Sequence, residues 1–283
     1  MAAASFRVRS RKASNAVFLA FCCLVTLIAL GFLAAIMWSL VSQGLGGLNL
    51  AVFTRSTPAP GSPGGLANAI VGSIMLCMLG MAIALLFGVL AGTWLAEYAG
   101  ASRYGSVIRF MNDVLLSAPS ILVGLFVYEL LVRPFGGFSG FAGGVALALL
   151  AVPVIVRTTE DVLKLQPTSL RESGVALGAP LWGVIRKILW RAAQSGILTG
   201  ALLAFARISG ETAPLLFTAL NNQFFNLDMG KPMASLPTVI FQFALAPYDD
   251  WRRLAWAGAL IIAASVLTVS IVARTLSQEP KRS

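Results

Sequence analysis

Residues 171–191, RESGVALGAPLWGVIRKILWR, form a polar, basic, helix-compatible segment set between two apolar stretches. Such apolar stretches recur along a chain of 283 residues that is 58% hydrophobic and only 11% charged. That balance belongs to a polytopic membrane protein rather than a soluble globule. A helix needs about 20 apolar residues to cross a hydrocarbon core of ~30 Å. Six segments qualify: 16–41, 67–96, 107–132, 141–156, 195–220 and 254–272, the fourth being short. The runs are unbroken rather than alternating, which selects helices over a closed β-barrel. The expected fold class is therefore all-α, polytopic, with about six transmembrane helices.

Basic residues orient the chain. With the N-terminus inside, Arg7, Arg9, Arg11, Lys12, Arg103, Arg109, Arg157, Lys164, Arg171, Arg186, Lys187, Arg191, Arg274, Lys281 and Arg282 fall on the cytoplasmic side. Only Arg55, Arg133, Lys231, Arg252 and Arg253 fall outside, and Arg207 lies within a span. Both termini are thus expected in the cytoplasm. The net charge of +10 is accounted for by this bias and by anionic lipid at the inner surface. No basic patch interleaved with aromatics sits on a soluble module, so a nucleic-acid partner is not required. The basic N-terminus and the apolar run behind it look like a signal peptide, but the run is too long and lacks a clear cleavage site. It reads as an uncleaved first span. The expected organisation is a basic cytoplasmic tail (1–13), a first span with an external loop (14–66), a core (67–276) containing a cytoplasmic loop (158–191), and a short tail (277–283).

Much chemistry is excluded. The chain has no histidine, which removes Ser-His-Asp triads, histidine metal sites and histidine proton relays together. Gly137-Phe138-Ser139-Gly140 resembles a serine-protease motif but lacks a base, and reads as an external turn. There is no GxxxxGK[ST] phosphate loop, so any ATP-driven step needs another subunit. Cys22, Cys23 and Cys77 fall in apolar spans without metal-ligand spacing and read as packing residues. No enzyme activity, cofactor or metal is expected of the chain itself.

Within the cytoplasmic loop, Pro167 precedes Thr168 and Ser169, either of which can N-cap a helix. Pro180 would end or kink it, giving about three turns over 169–179. Leu170, Val175 and Leu177 oppose Arg171 and Glu172, a face that suits either a partner's groove or the lipid surface; both readings stay open. Arg207 and Glu211 are the strongest outliers, because a charge near the bilayer centre costs at least ~3 kcal/mol on insertion scales. Their i, i+4 spacing puts them on one helix face. Gly210 permits close backbone approach and Pro214 frees a carbonyl one turn back. Arginine's planar fork suits a tetrahedral oxyanion, so the pair reads as an anion path or as a structural ion pair between helices. Asp113 and Glu129 flank the third span, where local pairing is the simpler role. Glu160 and Asp161 are expected to be solvated. Gly88, Gly92, Gly124, Gly143 and Gly144 suit close helix packing. Segment 221–253 is external, and 236–245 is apolar but too short to span.

The loop resembles the coupling motif of bacterial ABC importer permeases, in which a Glu, a Gly six residues on and an Ile ten further mark the helix that docks on the ATPase. Glu172, Gly178 and Ile188 match. The family's two alanines after the Glu are Ser173-Gly174 here, and its Leu-Pro after the Ile is Trp190-Arg191. The resemblance narrows to the A-type permease subunits of phosphate-specific importers, on VRTTEDVLKLQPTSLRESGVALGAP, GILTGALLAFARISGETAPLLFTAL, Ser117-Ala118-Pro119-Ser120-Ile121, 236–242 and 254–257. It covers most of residues 97–272. The resemblance implies a type I importer fold, a second related permease, an ATPase dimer that binds ATP and Mg, and an extracytoplasmic phosphate-binding protein, all in a bacterial inner membrane. It implies a coupling helix bearing Ser169, Leu170, Arg171, Glu172, Val175, Leu177 and Gly178. It also implies a phosphate path at Arg207, Gly210, Glu211 and Thr212.

Overall fold

The chain is described by a computed structural model over residues 2–277, so the predicted tail 277–283 lies outside the described residues apart from Ser277. Every regular element among those residues is a helix. The N-terminal stretch is continuous with the first span in α1 (Ala2–Gly47). There follow α2 (Leu50–Thr54), α3 (Ala67–Glu97), α4 (Arg103–Ser117) and α5 (Ser120–Val127), the last running through a π turn (Tyr128–Val132) into α6 (Arg133–Phe135). Next come α7 (Gly140–Lys164), α8 (Thr168–Ala176) and α9 (Leu181–Val184), which leads through a second π turn (Ile185–Leu189) into α10 (Trp190–Ser209). The chain closes with α11 (Ala213–Thr218), α12 (Leu236–Ala244) and α13 (Asp249–Ser277).

Among the described residues, five helical runs are long and apolar enough to cross a membrane: Ser14–Gly47, Ala67–Glu97, Gly140–Lys164, Leu181–Ser209 and Asp249–Thr275. The expected span 107–132 is not one helix. Its two halves, α4 and α5, meet at an angle of 105° and count as a sixth span only when taken together. Proline explains the bend: Pro119 has no N–H to donate and drives Ala118 out of helical geometry, to ψ 134°. The expected span 195–220 is displaced as well. Its helix begins at Leu181 and ends at Ser209, and α11 is a separate piece. Pro214 therefore frees no carbonyl within a helix; it sits in the first turn of α11, where its missing N–H costs nothing. The helix expected over 141–156 continues to Lys164, so the long loop 158–191 contracts to 165–180.

The centre of the molecule is α3 packed along α7. Gly88 and Gly92 let the axes approach: a Cβ on Gly92 would lie 2.6 Å from the carbonyl oxygen of Val156. Leu76, Leu147, Leu150, Ile155, Ile208 and Leu215 fill the space among α3, α7, α10 and α11. At one end of the bundle, here the basic end, lie Glu97, Arg109, Glu160 and residues 165–180. The other, the loop end, carries 48–66, 136–139 and 210–248. There α12 packs on α13 through Phe243 stacked on Trp251 at 4.4 Å between centroids.

One buried polar residue holds the loop end together. Asn68, at the start of α3, donates to Thr57 Oγ1 (3.0 Å) and to the Asn222 carbonyl (2.8 Å), and accepts from the Thr57 amide (3.0 Å). Thr57 donates in turn to the Gln223 carbonyl at 3.3 Å. Two loops distant in sequence are pinned to one helix, and leaving such buried groups unsatisfied costs about 1–3 kcal/mol each. Asn68→Ala is expected to lower the thermal unfolding midpoint of the purified protein by an amount corresponding to about 2 kcal/mol.

Candidate coupling surface and anion path

The loop 165–180 is a short helix with a built-in stop. Gly178 adopts φ +79°, the left-handed conformation that glycine takes without penalty. The Gly178 amide donates to the Val175 carbonyl (2.9 Å) and the Ala179 amide to that of Gly174 (3.2 Å). This double closure of a C-terminus satisfies carbonyls that would otherwise be orphaned. The helix thus ends at Ala176 because of Gly178, not Pro180; Pro180 instead precedes the first turn of α9.

Gly174 is what lets α8 lie on α9. It is buried, and a Cβ there would come to 2.7 Å from Val184 Cγ2 and 3.3 Å from Ile188 Cδ1. Ile188 is therefore a floor beneath α8, and Glu172 stands on the exposed face of that helix. Where the family pattern ends in Leu-Pro, Trp190-Arg191 continues the helix; the Trp190 indole donates to Thr93 Oγ1 on α3 at 3.1 Å. Gly174→Leu is expected to displace α8 and to cost about 1–3 kcal/mol of overpacking. Gly174→Ala, which asks the Val184 side chain to give way at both methyls, should cost less than leucine. Thermal unfolding of the two variants measures the difference.

The seven residues expected to face a partner divide. Ser169, Glu172, Val175, Leu177 and Gly178 are exposed, Leu177 at 88%. Leu170 and Arg171 turn inward. Leu170 packs with Leu163, Val184 and Ile185. Arg171 grips Glu97 through two bonds, Nε to Oε2 at 2.8 Å and Nη2 to Oε1 at 2.6 Å. It also donates to the carbonyls of Gln166 (2.9 Å) and Leu163 (2.8 Å). Hydrogen bonding to Glu97 raises the Arg171 pKa above the usual arginine value.

Glu160 overturns its reading as a solvated loop residue. It is 2% exposed, on α7, and is bound by Arg109 at 2.7 Å and Lys164 at 2.5 Å. Arg109 also donates to the carbonyls of Leu95 (3.1 Å) and Gly100 (3.2 Å), closing the end of α3. The i, i+4 spacing of Glu160 and Lys164 is readable in the sequence; Arg109, 51 residues away, is not. Asp161 is half exposed beside Arg157 at 3.2 Å, and Asp113 lies 3.8 Å from the same arginine. Glu129 pairs with Arg133 at 2.8 Å on the surface.

Arg207 sits in the last turn of α10, and Glu211 lies beyond the helix end rather than one turn further along it. The pair is loose, with Nε 4.0 Å from Oε1 and no hydrogen bond between them, and the side chains are 33% and 18% exposed. Arg109 and Arg171 spend their forks on carboxylates and carbonyls; the Arg207 fork makes no hydrogen bond among the described residues. Next to it, the helix break at 210–212 leaves open space beside Gly210, and the Thr212 hydroxyl caps nothing. Just past this break α11 packs on α5: a Cβ on Gly124 of α5 would lie 2.6 Å from Pro214 Cα. Backbone breaks in a membrane helix are tolerated where protein buries them or where they line a polar cavity. The neighbouring apolar cleft of about 460 Å³, lined by Ser73, Cys77, Met81, Phe205 and Ser209 among others, is a different feature. Phe205 and Ser209 are each two positions from Arg207, which points it roughly 200° away around the helix. The Arg207 side of α10 carries Ala206 and Leu203, both exposed in the single chain.

Residues 84–282 match the model of the binding-protein-dependent transport system inner membrane component. The chain belongs to that permease family. The permease is 52% identical over 271 residues to a protein of Haemophilus influenzae named phosphate transport system permease protein PstA, covering 96% of each. It is 50% identical over 272 residues to the protein of the same name from Yersinia pestis, covering 96% of this chain and 92% of that one. It is 36% identical over 251 residues to a probable PstA of Methanocaldococcus jannaschii, covering 88% and 89%. Its backbone is similar to a chain of the inward-facing MetNI methionine ABC transporter, with a TM-score of 0.59 at 17% identity over 75% of this chain and 97% of that one. The fold of the permease is accordingly the type I ABC importer permease fold of an inner-membrane, multi-pass subunit.

Proposed function

We propose that this permease moves inorganic phosphate inward through a bacterial plasma membrane, with ATP hydrolysed by a separate ATPase dimer and phosphate delivered by an extracytoplasmic binding protein. The single observation that carries the path is the uncommitted fork of Arg207, 4.0 Å from its nearest carboxylate, beside a helix break. Phosphate is a tetrahedral oxyanion, and a planar guanidinium donates two parallel hydrogen bonds to it. Gly210 and Thr212 line the same break, and Glu211 biases where the fork points without neutralising it by direct hydrogen bonding. The exposed face of α10 at Arg207 becomes an interior wall once a second, related permease covers it.

The basic end faces the cytoplasm in this reading, with both termini. Ser169, Glu172, Val175 and Leu177 enter a groove of the ATPase, and Gly178 sets the shape of the turn behind them. Closure of the ATPase dimer on ATP and Mg moves α8, the core rocks, and the phosphate site alternates between the two sides. The chain performs no covalent chemistry on phosphate. The reading is tested by purifying the tagged permease from membranes and adding a phosphate-loaded binding protein. Co-purification of an ATPase and a second permease, with ATP hydrolysis stimulated by the loaded binding protein, is the expected result. A permease recovered alone, in good yield and folded, would contradict it.

A further inference from the structure

We propose that the Arg171–Glu97 ion pair is the link by which the coupling helix moves the membrane core, locking α8 to the end of α3 so that the two travel as one lever. The inference rests on the reading above that α8 docks on an ATPase. Three covalent residues, 165–167, join α7 to α8, and a connection that short but non-helical can flex without transmitting force. Arg171 removes that freedom. From the first turn of α8 its guanidinium reaches Glu97, the last residue of α3, and the carbonyls of Leu163 at the end of α7 and Gln166 in the connection. One side chain therefore joins the ends of three helices. The Glu97 side chain is 3% exposed, so the pair is held largely out of water, where separation is costly.

The lever's far arm is rigid. α3 runs for 31 residues and is seated against α7 through its glycines, and Arg109 holds the Leu95 carbonyl in its last turn and the Gly100 carbonyl in the loop behind it. On α8, adjacent residues point about 100° apart. Exposed Glu172 faces outward, while its neighbour Arg171 is turned to the core. A push on the outer face of α8 thus reaches α3 directly. Arg171 and Glu97 act as positioning residues: neither needs to touch phosphate or ATP.

The test uses the whole reconstituted complex with its binding protein, carrying Glu97→Gln, which removes the charge and keeps the shape, or Glu97→Asp, which keeps the charge. ATP hydrolysed per phosphate imported is measured together with the distance between spin labels at Ala101→Cys and Ser173→Cys, both exposed positions outside the residues assigned to docking, in a background without Cys22, Cys23 and Cys77. In the parent, the labels give one narrow distance both without nucleotide and after vanadate trapping. In Glu97→Gln the distance spreads on trapping, and the ATP cost per phosphate rises by roughly three- to thirtyfold, the range typical of a broken coupling network. Glu97→Asp falls between. An unchanged distance and an unchanged ratio in Glu97→Gln overturn the proposal, including when complex yield drops, because the pair is then only a folding contact. If the parent itself imports no phosphate, the substrate reading fails, and the label distance still decides the lever.

Discussion

Arg207→Ala is expected to reduce ATP-driven phosphate uptake by at least roughly thirtyfold, equivalent to about 2 kcal/mol lost from a charge-assisted contact. The Arg207 fork has no hydrogen-bonded partner among the described residues and stands beside the open break at Gly210. A structural ion pair would be short and saturated, as Arg109–Glu160 is at 2.7 Å. Arg207→Lys keeps the charge but not the two parallel donors, so its uptake should lie between alanine and the parent. Thermal stability should hardly change in either variant, since a partly exposed pair at 4.0 Å contributes at most about 1 kcal/mol. Glu211→Gln should likewise unfold near the parent's midpoint. The check is uptake at matched amounts of assembled complex, with unfolding midpoints alongside; a large fall in midpoint with Arg207→Ala would show the pair to be structural.

Glu160→Ala has the largest expected effect on stability. The carboxylate is 2% exposed and bound by two cations, one of which also closes the end of α3. Removing one member of a buried ion pair typically costs about 3–5 kcal/mol, because the partner is left without compensation. Lys164 is 48% exposed and can turn to water, so the lower end, about 3 kcal/mol, is expected. Arg109 is 22% exposed and cannot do so as readily. Glu160→Ala should therefore unfold at a clearly lower temperature in detergent, and α4 should become accessible to protease at Arg103 and Arg109. Asp161→Ala, one residue along on the exposed side, should do neither.

Helix content was legible because apolar runs of spanning length have few other solutions; the second span, expected over 67–96, is Ala67–Glu97. The boundaries near charge were not. Composition reads Thr158–Lys164 as loop because it counts charges, whereas α7 continues there because Glu160 is neutralised by Arg109, a contact of high sequence separation. The bend at Ala118-Pro119 had its signal in the proline, but hydropathy averages over it. The coupling motif was legible through Gly178 and Ile188, whose roles as left-handed stop and floor are local. Gly174, Glu97 and Asn68 were missed, since a close approach or a buried amide depends on what lies opposite. Arg207 and Glu211 were found as charges in an apolar run; the end of α10 between them had its local signals in Gly210, its C-cap, and Pro214 in the first turn of α11, over which hydropathy averages.

The most direct test of the central claim is uptake of labelled phosphate into vesicles holding the whole complex, with binding protein outside and ATP inside, competed by sulfate. Phosphate accumulation that requires both ATP and the binding protein, resists sulfate and is lost in Arg207→Ala at equal complex content is the predicted result. Accumulation of no phosphate by the parent, or phosphate uptake undiminished by Arg207→Ala, would contradict the account.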